Sequence, residues 1–239
     1  MNSWFRIIVG VLFFSLNAEY TFSQKAKEDI LKINKAYIGK KITMKLNYNL
    51  YRNHVTKTVF QNETAEVKQS GDLNWTRIGP IETVTNETYS LIVNNKEKSI
   101  TMLGKEMNSK KKTDPLGMNL DSLLKRCQKV EFKKVNEHQN SYEFVFPFSE
   151  YSKVVIVYNN KTFFIEKMLL FYQEKKKFDE SGKEEAPRME ITCTEIKTNS
   201  RFTANDFTYD NYIEKNKNNK WLCKPAYKGY SVQVQVLNE

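Results

Sequence analysis

The stretch Tyr142–Tyr172, YEFVFPFSEYSKVVIVYNNKTFFIEKMLLFY, decides how this chain is built. Phe144-Val145-Phe146, Val154–Tyr158 and Met168–Tyr172 are apolar at consecutive positions, so each run points hydrophobic groups to both faces of a strand. The connections between the runs are short and hold no crossover helix, so the strands should pair mostly antiparallel. Antiparallel sheets ordinarily leave one face wet, and here neither face reads as wet. Something apolar must cover the second face. Only two short helices are available to do it. The expectation is an α+β chain in which a curved antiparallel β-sheet, an incomplete barrel, wraps around short helices or around a ligand cavity. A closed sandwich core would leave the same pattern.

The meander extends to both sides of this stretch. Val130–Val135 precedes it and Met189–Ile196 follows, with Asn136–Asn140, Asn159-Asn160 and Lys175–Pro187 as connections. Upstream, Leu116, Leu120, Leu123 and Leu124 fall at helical spacing behind Asp114-Pro115, which predicts a short helix ending at Arg126. Tyr89–Val93 and Lys98–Leu103 flank Asn94-Asn95, whose tolerance of positive φ predicts a tight hairpin. Thr58–Thr64, Ala65–Ser70 and Gly71–Arg77 read as weaker strands. Ile42, Met44, Leu46, Tyr48 and Leu50 alternate with polar residues, the mark of a strand with one apolar face. Before them Lys25–Tyr37 reads as an amphipathic helix, with Ile30, Leu31, Ile33 and Tyr37 on one side and Gly39 as its stop.

The extreme N-terminus reads as a cleavable secretory signal: Arg6, the apolar run Ile7–Leu16, and Thr21 and Ser23 as small residues before a cut at Gln24. An uncleaved anchor is the alternative, although the run is short for a bilayer. The division expected is 1–23 signal, 24–213 half-barrel domain, and 214–239 a C-terminal extension that adds a strand or hairpin. Arg6 and Glu19 cancel, so the formal charge of +10 belongs to the rest of the chain. Outside the cytoplasm a basic surface meets anionic headgroups and acidic glycans more than nucleic acid; plain solubility would also account for the charge. Cys127, Cys193 and Cys223 allow at most one bridge, with Cys193 and Cys223 the better pair and three small buried thiols the other outcome.

The order of elements, together with Gly71-Asp72-Leu73-Asn74-Trp75, the hairpin Glu87–Leu103, the helix Pro115–Arg126 and the phrase Phe202-Thr203-Ala204-Asn205-Asp206-Phe207-Thr208, resembles the periplasmic outer-membrane lipoprotein carrier family, LolA and its relatives. The resemblance covers most of Lys25–Tyr212. It implies a periplasmic half-barrel whose concave apolar face, lidded by helices, holds acyl chains. On alternation, the positions expected to line that face are Leu46, Tyr48, Leu91, Val93, Phe144, Phe146, Val155, Val157, Leu169 and Phe171; a one-residue shift of register would exchange them for their neighbours. Arg77, followed by Ile78-Gly79-Pro80, stands near the family's basic residue and is taken as a polar contact. The segment Glu214–Glu239 runs past the family's usual end, and Trp221 to Val236 is either edge protection or a surface for an envelope partner.

The sequence is poorly supplied for catalysis. Only His54 and His138 exist, both among polar neighbours, and no phosphate-cradling glycine loop appears among eight glycines. The expectation is a monomeric, non-enzymatic lipid or lipoprotein carrier without cofactor, metal or nucleic-acid partner, capable of peripheral membrane contact. A structural or interaction module on the same fold, without a ligand, is the alternative.

Overall fold

The computed structural model describes residues 24–104, 120–180 and 182–235. The signal segment Met1–Ser23 and the helix start at Leu116 lie outside these residues. The chain divides into two interleaved units: residues 24–36, 50–60 and 120–190 in the first, and 37–49, 61–104 and 191–235 in the second.

Residues 24–37 form helix α1, which belongs to the first unit except for its last residue. Ala26, Asp29, Ile30 and Ile33 are buried along it at helical spacing. The helix stops before Gly39, whose φ of +72° is the left-handed cap conformation that glycine adopts without strain. Helix α2 (Leu120–Arg126) buries Leu120 and Leu123. Strands β7 (Lys129–Lys134), β8 (Gln139–Val145), β9 (Tyr151–Asn159) and β10 (Ile165–Tyr172) form the expected antiparallel meander. Phe144 pairs with Val154 and Val154 with Leu170, so these three share one face. Glu143, Val155 and Leu169 share the other. The connection after β10 holds a two-residue ladder, β11 (Lys176–Lys177) against β12 (Glu184–Glu185).

Strands β1 (Lys41–Tyr51) and β13 (Arg188–Thr198) run through both units. The second unit adds β2 (Gln61–Ser70), β3 (Leu73–Ile78), β4 (Ile81–Thr85), β5 (Tyr89–Asn94) and β6 (Ser99–Gly104). Then come the hairpin β14 (Ile213–Lys215) with β15 (Trp221–Cys223), and β16 (Ser231–Gln235). Twelve strands make one mixed, unclosed sheet in the order β16-β6-β5-β4-β3-β2-β1-β13-β10-β9-β8-β7. The α+β class and the open sheet expected from the sequence therefore stand.

Several local expectations change. Thr58–Thr64 and Ala65–Ser70 are not two strands: one strand runs unbroken from Gln61 to Ser70, and its Ala65–Ser70 half pairs with β3. Ile81–Thr85 is a strand that its flanking Pro80 and Asn86 concealed. The β5–β6 turn is four residues, Asn95–Lys98, closed by the pair Asn94 and Ser99. Its left-handed residue is Lys98, at φ +52°. Asn94 serves the turn through its side chain instead, Oδ1 accepting the backbone N–H groups of Lys96 and Glu97. Strand β16 departs from the antiparallel rule by pairing parallel with β6. The Cys193–Cys223 bridge is also absent: all three cysteines are free thiols, with Cys193 donating to the Glu195 carbonyl and Cys223 to the Tyr230 carbonyl.

Candidate functional site

The first unit presents an apolar sheet face built by alternation. Tyr142 and Phe144 of β8, Val154, Ile156 and Tyr158 of β9, and Met168 of β10 are each exposed by 1% or less. Helix α1 covers this face and meets it through side chains taken in order. Lys25 Nζ lies 4.1 Å from the Phe132 ring centroid, and Lys32 Nζ lies 5.3 Å from that of Phe163. Between them the buried Asp29 carboxylate turns down onto the sheet. Its Oδ2 accepts from the Tyr142 hydroxyl at 2.9 Å and the Tyr158 hydroxyl at 2.7 Å. A buried carboxylate without donors would be strongly unfavourable, so these two hydroxyls fix where α1 sits. The two tyrosine rings stack parallel, 5.9 Å apart. Burial, and after it the hydrogen bond to Asp29, pushes both hydroxyls well above the ordinary tyrosine pKa.

The second unit has an apolar face of its own. Trp75, Val84, Leu91, Val93, Ile100 and Met102 form it, and the C-terminal segment covers it with Phe202, Phe207, Tyr212 and Ile213. Half-buried Tyr209, Trp221, Tyr227, Tyr230, Val232 and Val234 pack against the same cluster. Rings run in series: Tyr209 contacts Tyr89 and Trp221, each at 5.3 Å, and Tyr227 contacts Tyr212 at 5.2 Å and Tyr230 at 5.3 Å. Polar handles fix the cover. The Trp75 indole N–H donates to Tyr212 Oη at 3.1 Å, and the Tyr230 hydroxyl donates to Asn95 Oδ1 at 3.0 Å.

The ten positions expected to line a cavity fall on different walls. Phe144 and Phe146 are buried, Phe144 on the face beneath α1. Val155, Val157, Leu169 and Phe171 point to the opposite side of the same strands and are half-buried. There the Lys153 ammonium lies 4.5 Å from the Phe171 ring centroid, and Lys167 pairs with Glu190 at 3.1 Å. In the second unit Leu91 and Val93 are fully buried beneath the C-terminal segment. Leu46 is buried too, on the other sheet face. Asn62 donates to Asn47 and Asn49, so the even residues of β2 share a side with the odd residues of β1. Lys68 in turn opposes Trp75, Trp75 opposes Val84, and Val84 opposes Leu91. Half-buried Tyr48 follows Leu46. Arg77 is half-exposed at the rim, donating to Glu66 Oε2 at 3.2 Å.

The sequence reading did not find Asp29 and its two tyrosines, or the covering role of residues 202–213. The first had a signal: one acid among the apolar positions Ala26, Ile30 and Ile33 of an amphipathic helix. Among the described residues, no group of three or more His, Cys, Asp or Glu side chains is placed to hold a metal ion. No described helix is long and apolar enough to cross a membrane.

No protein-family model and no curated protein matches the sequence. Among solved structures, the chain is similar to an uncharacterized conserved protein from Thermus thermophilus, with 10% identity, 88% of this chain and 99% of that one covered, and a TM-score of 0.48. It is also similar to a LolA superfamily protein from Nitrosomonas europaea, with 8% identity, 77% and 98% coverage and a TM-score of 0.38. In the Pseudomonas aeruginosa MucA/MucB complex it matches a chain with 11% identity, 77% and 60% coverage and a TM-score of 0.46. Each of these likenesses lies at 8–11% identity.

Proposed function

We propose that the chain is an exported, non-enzymatic protein that takes up an acyl chain, free or on a lipoprotein, between α1 and the sheet face of the first unit. The observation that carries this reading is the kind of cover that face has. One helix lies over a mainly apolar wall and is tied to it by side chains, with Asp29 on the Tyr142 and Tyr158 hydroxyls as the buried polar tie. Displacing α1 would uncover the Tyr142 and Tyr158 rings, which share the sheet face with Phe144, Val154, Ile156 and Met168, without breaking a strand pair. Each acyl methylene buried in their place contributes about 0.8 kcal/mol, so one chain supplies useful affinity without polar specificity. On this reading Met1–Ser23 directs a monomer to the periplasm, residues 24–213 form the binding domain, and Trp221–Val236 offers a surface to an envelope partner.

A second reading, an interaction module that never binds lipid, is favoured by the same wall being filled in this state by the chain's own side chains. The two separate by experiment. Native mass spectrometry of protein from a periplasm, before and after denaturation, should show a mass loss matching lipid. Saturating long-chain fatty acid, at about 100 times Kd, should raise the melting temperature by roughly 5–10 °C. An unchanged mass together with an unchanged melting temperature would sink the carrier reading. A partner that is lost from a pull-down when Trp221–Val236 is removed would then establish the module.

A further inference from the structure

One end of the first unit carries apolar side chains that the fold does not use. Phe148, in the connection from β8 to β9, is 95% exposed, and Val55, in the connection that follows β1, is 85% exposed. Neither sits on loose chain. Asn53 Oδ1 accepts the backbone N–H groups of Val55 and Thr56, and the Phe60 N–H closes the loop onto the Leu50 carbonyl at 2.8 Å. On the other side, Phe146 N–H bonds the Ser152 carbonyl at 3.0 Å. The two loops meet at the end of β10: His54 Nε2 lies 3.0 Å from the Tyr172 carbonyl oxygen, and the Gln173 N–H donates to the Glu150 carbonyl at 2.9 Å. Two apolar tips are therefore held out at the same end.

Beside Val55 a cleft of about 320 Å³ opens, with Arg52, Thr56, Thr58, Val59 and Phe60 in its lining. The Arg52 guanidinium sits 4.7 Å from the Phe60 ring centroid and pairs with the exposed Asp179. Glu185, which also reaches the cleft, is engaged by the Asn53 amide at 2.7 Å.

We propose that this end docks on an anionic phospholipid membrane, Phe148 and Val55 entering the interface while the cleft takes a headgroup phosphate on Arg52. Shape and charge select this occupant. A protein partner needs a continuous complementary patch, whereas separate convex apolar tips suit a fluid that closes around each one. The +10 chain is drawn to a negative surface. The loops themselves are nearly balanced, since Lys176 and Lys177 face Glu185 and Glu184, so insertion anchors the protein and charge steers it. The proposal stands apart from acyl uptake, which uses the wall beneath α1.

Co-sedimentation with vesicles of equal phosphatidylglycerol and phosphatidylcholine tests it. The double variant Val55→Ser with Phe148→Ser should bind at least about tenfold more weakly. Its melting temperature and its binding of fatty acid in solution should match the wild type, because both side chains are exposed. Arg52→Gln should weaken binding to these vesicles about fivefold. Failure of the wild-type protein to sediment with vesicles, or full binding by the double variant, would overturn the proposal, and fatty-acid uptake in solution would still decide the carrier reading separately.

Discussion

The two apolar faces are covered in different ways. In the second unit the cover is anchored to the sheet by backbone at both ends: the chain leaves the sheet with β13 and returns to it as β16, which lies beside β6 over five register pairs, from Ser231 with Ser99 to Gln235 with Leu103. Its rings then pack on one another as well as on the sheet. In the first unit α1 meets its face through side chains, and its buried polar contact is one carboxylate shared by two hydroxyls. Removing the first cover means breaking a ladder and leaving backbone groups unpaired; removing the second leaves the sheet intact. A cover of the second kind is the one that can move for a ligand, which is why the wall beneath α1, rather than Leu91 and Val93, is the one proposed to take an acyl chain.

Truncation after Ile213 probes the backbone-joined cover and carries the largest expected effect. It removes Trp221, Tyr227, Tyr230, Val232 and Val234 from the second unit's cluster. Partial burial of this many large side chains corresponds to about 5 kcal/mol or more, roughly 10–20 °C in melting temperature. A truncated protein that melts within a few degrees of the full chain would show that the segment is as detachable as α1, and the contrast would fail.

Asp29→Ala tests the side-chain cover. It strands two buried hydroxyls, so the expected loss is about 2–4 kcal/mol, roughly 5–10 °C. The tyrosines give the same tie a pH signature. Their hydroxyls are raised above the ordinary value of 10.0, so the neutral form is favoured in the folded state. The stability they contribute is full below pH 10 and is lost as the pH rises beyond it. Melting temperature should therefore fall more steeply above pH 10 in the wild type than in the double variant Tyr142→Phe with Tyr158→Phe. Equal slopes would mean the hydroxyls do not hold α1.

Much of this was legible in the sequence. The consecutive apolar runs at Phe144–Phe146, Val154–Tyr158 and Met168–Tyr172 correctly announced strands, but the face that carries Val155, Val157, Leu169 and Phe171 is only half-buried and holds the Lys153–Glu143 and Lys167–Glu190 ion pairs, so it remains partly wet. Period two, however, does not say which parity faces which cover, and Val155 and Leu169 are as apolar as Val154 and Leu170. Only pairing settles it: Phe144 opposite Val154, and Val154 opposite Leu170, place all three together and Val155 with Leu169 on the reverse. Leu46 and Leu91 were separated for the same reason, since the side on which each apolar row lies depends on a register running through four intervening strand pairs. Asp29 was hidden differently. A lone acid on an apolar helical face has no meaning until two hydroxyls, 113 and 129 residues away, are brought to it.

Arg77 carries the smallest expected effect and tests where the site lies. The resemblance to the carrier family made it a polar contact for cargo, whereas here it opposes Glu66 across β2 and β3 and sits 5.5 Å from the Trp75 ring centroid. A half-exposed pair of this kind contributes little, so Arg77→Ala should change stability by no more than about 0.5 kcal/mol. Because the wall beneath α1 is built from other strands, the variant should also bind fatty acid as the wild type does. If uptake instead fell tenfold with the melting temperature unmoved, the guanidinium would be touching cargo. The second unit's face would then be the binding face, its backbone-joined cover would have to open, and the distinction between the two covers would lose its functional meaning.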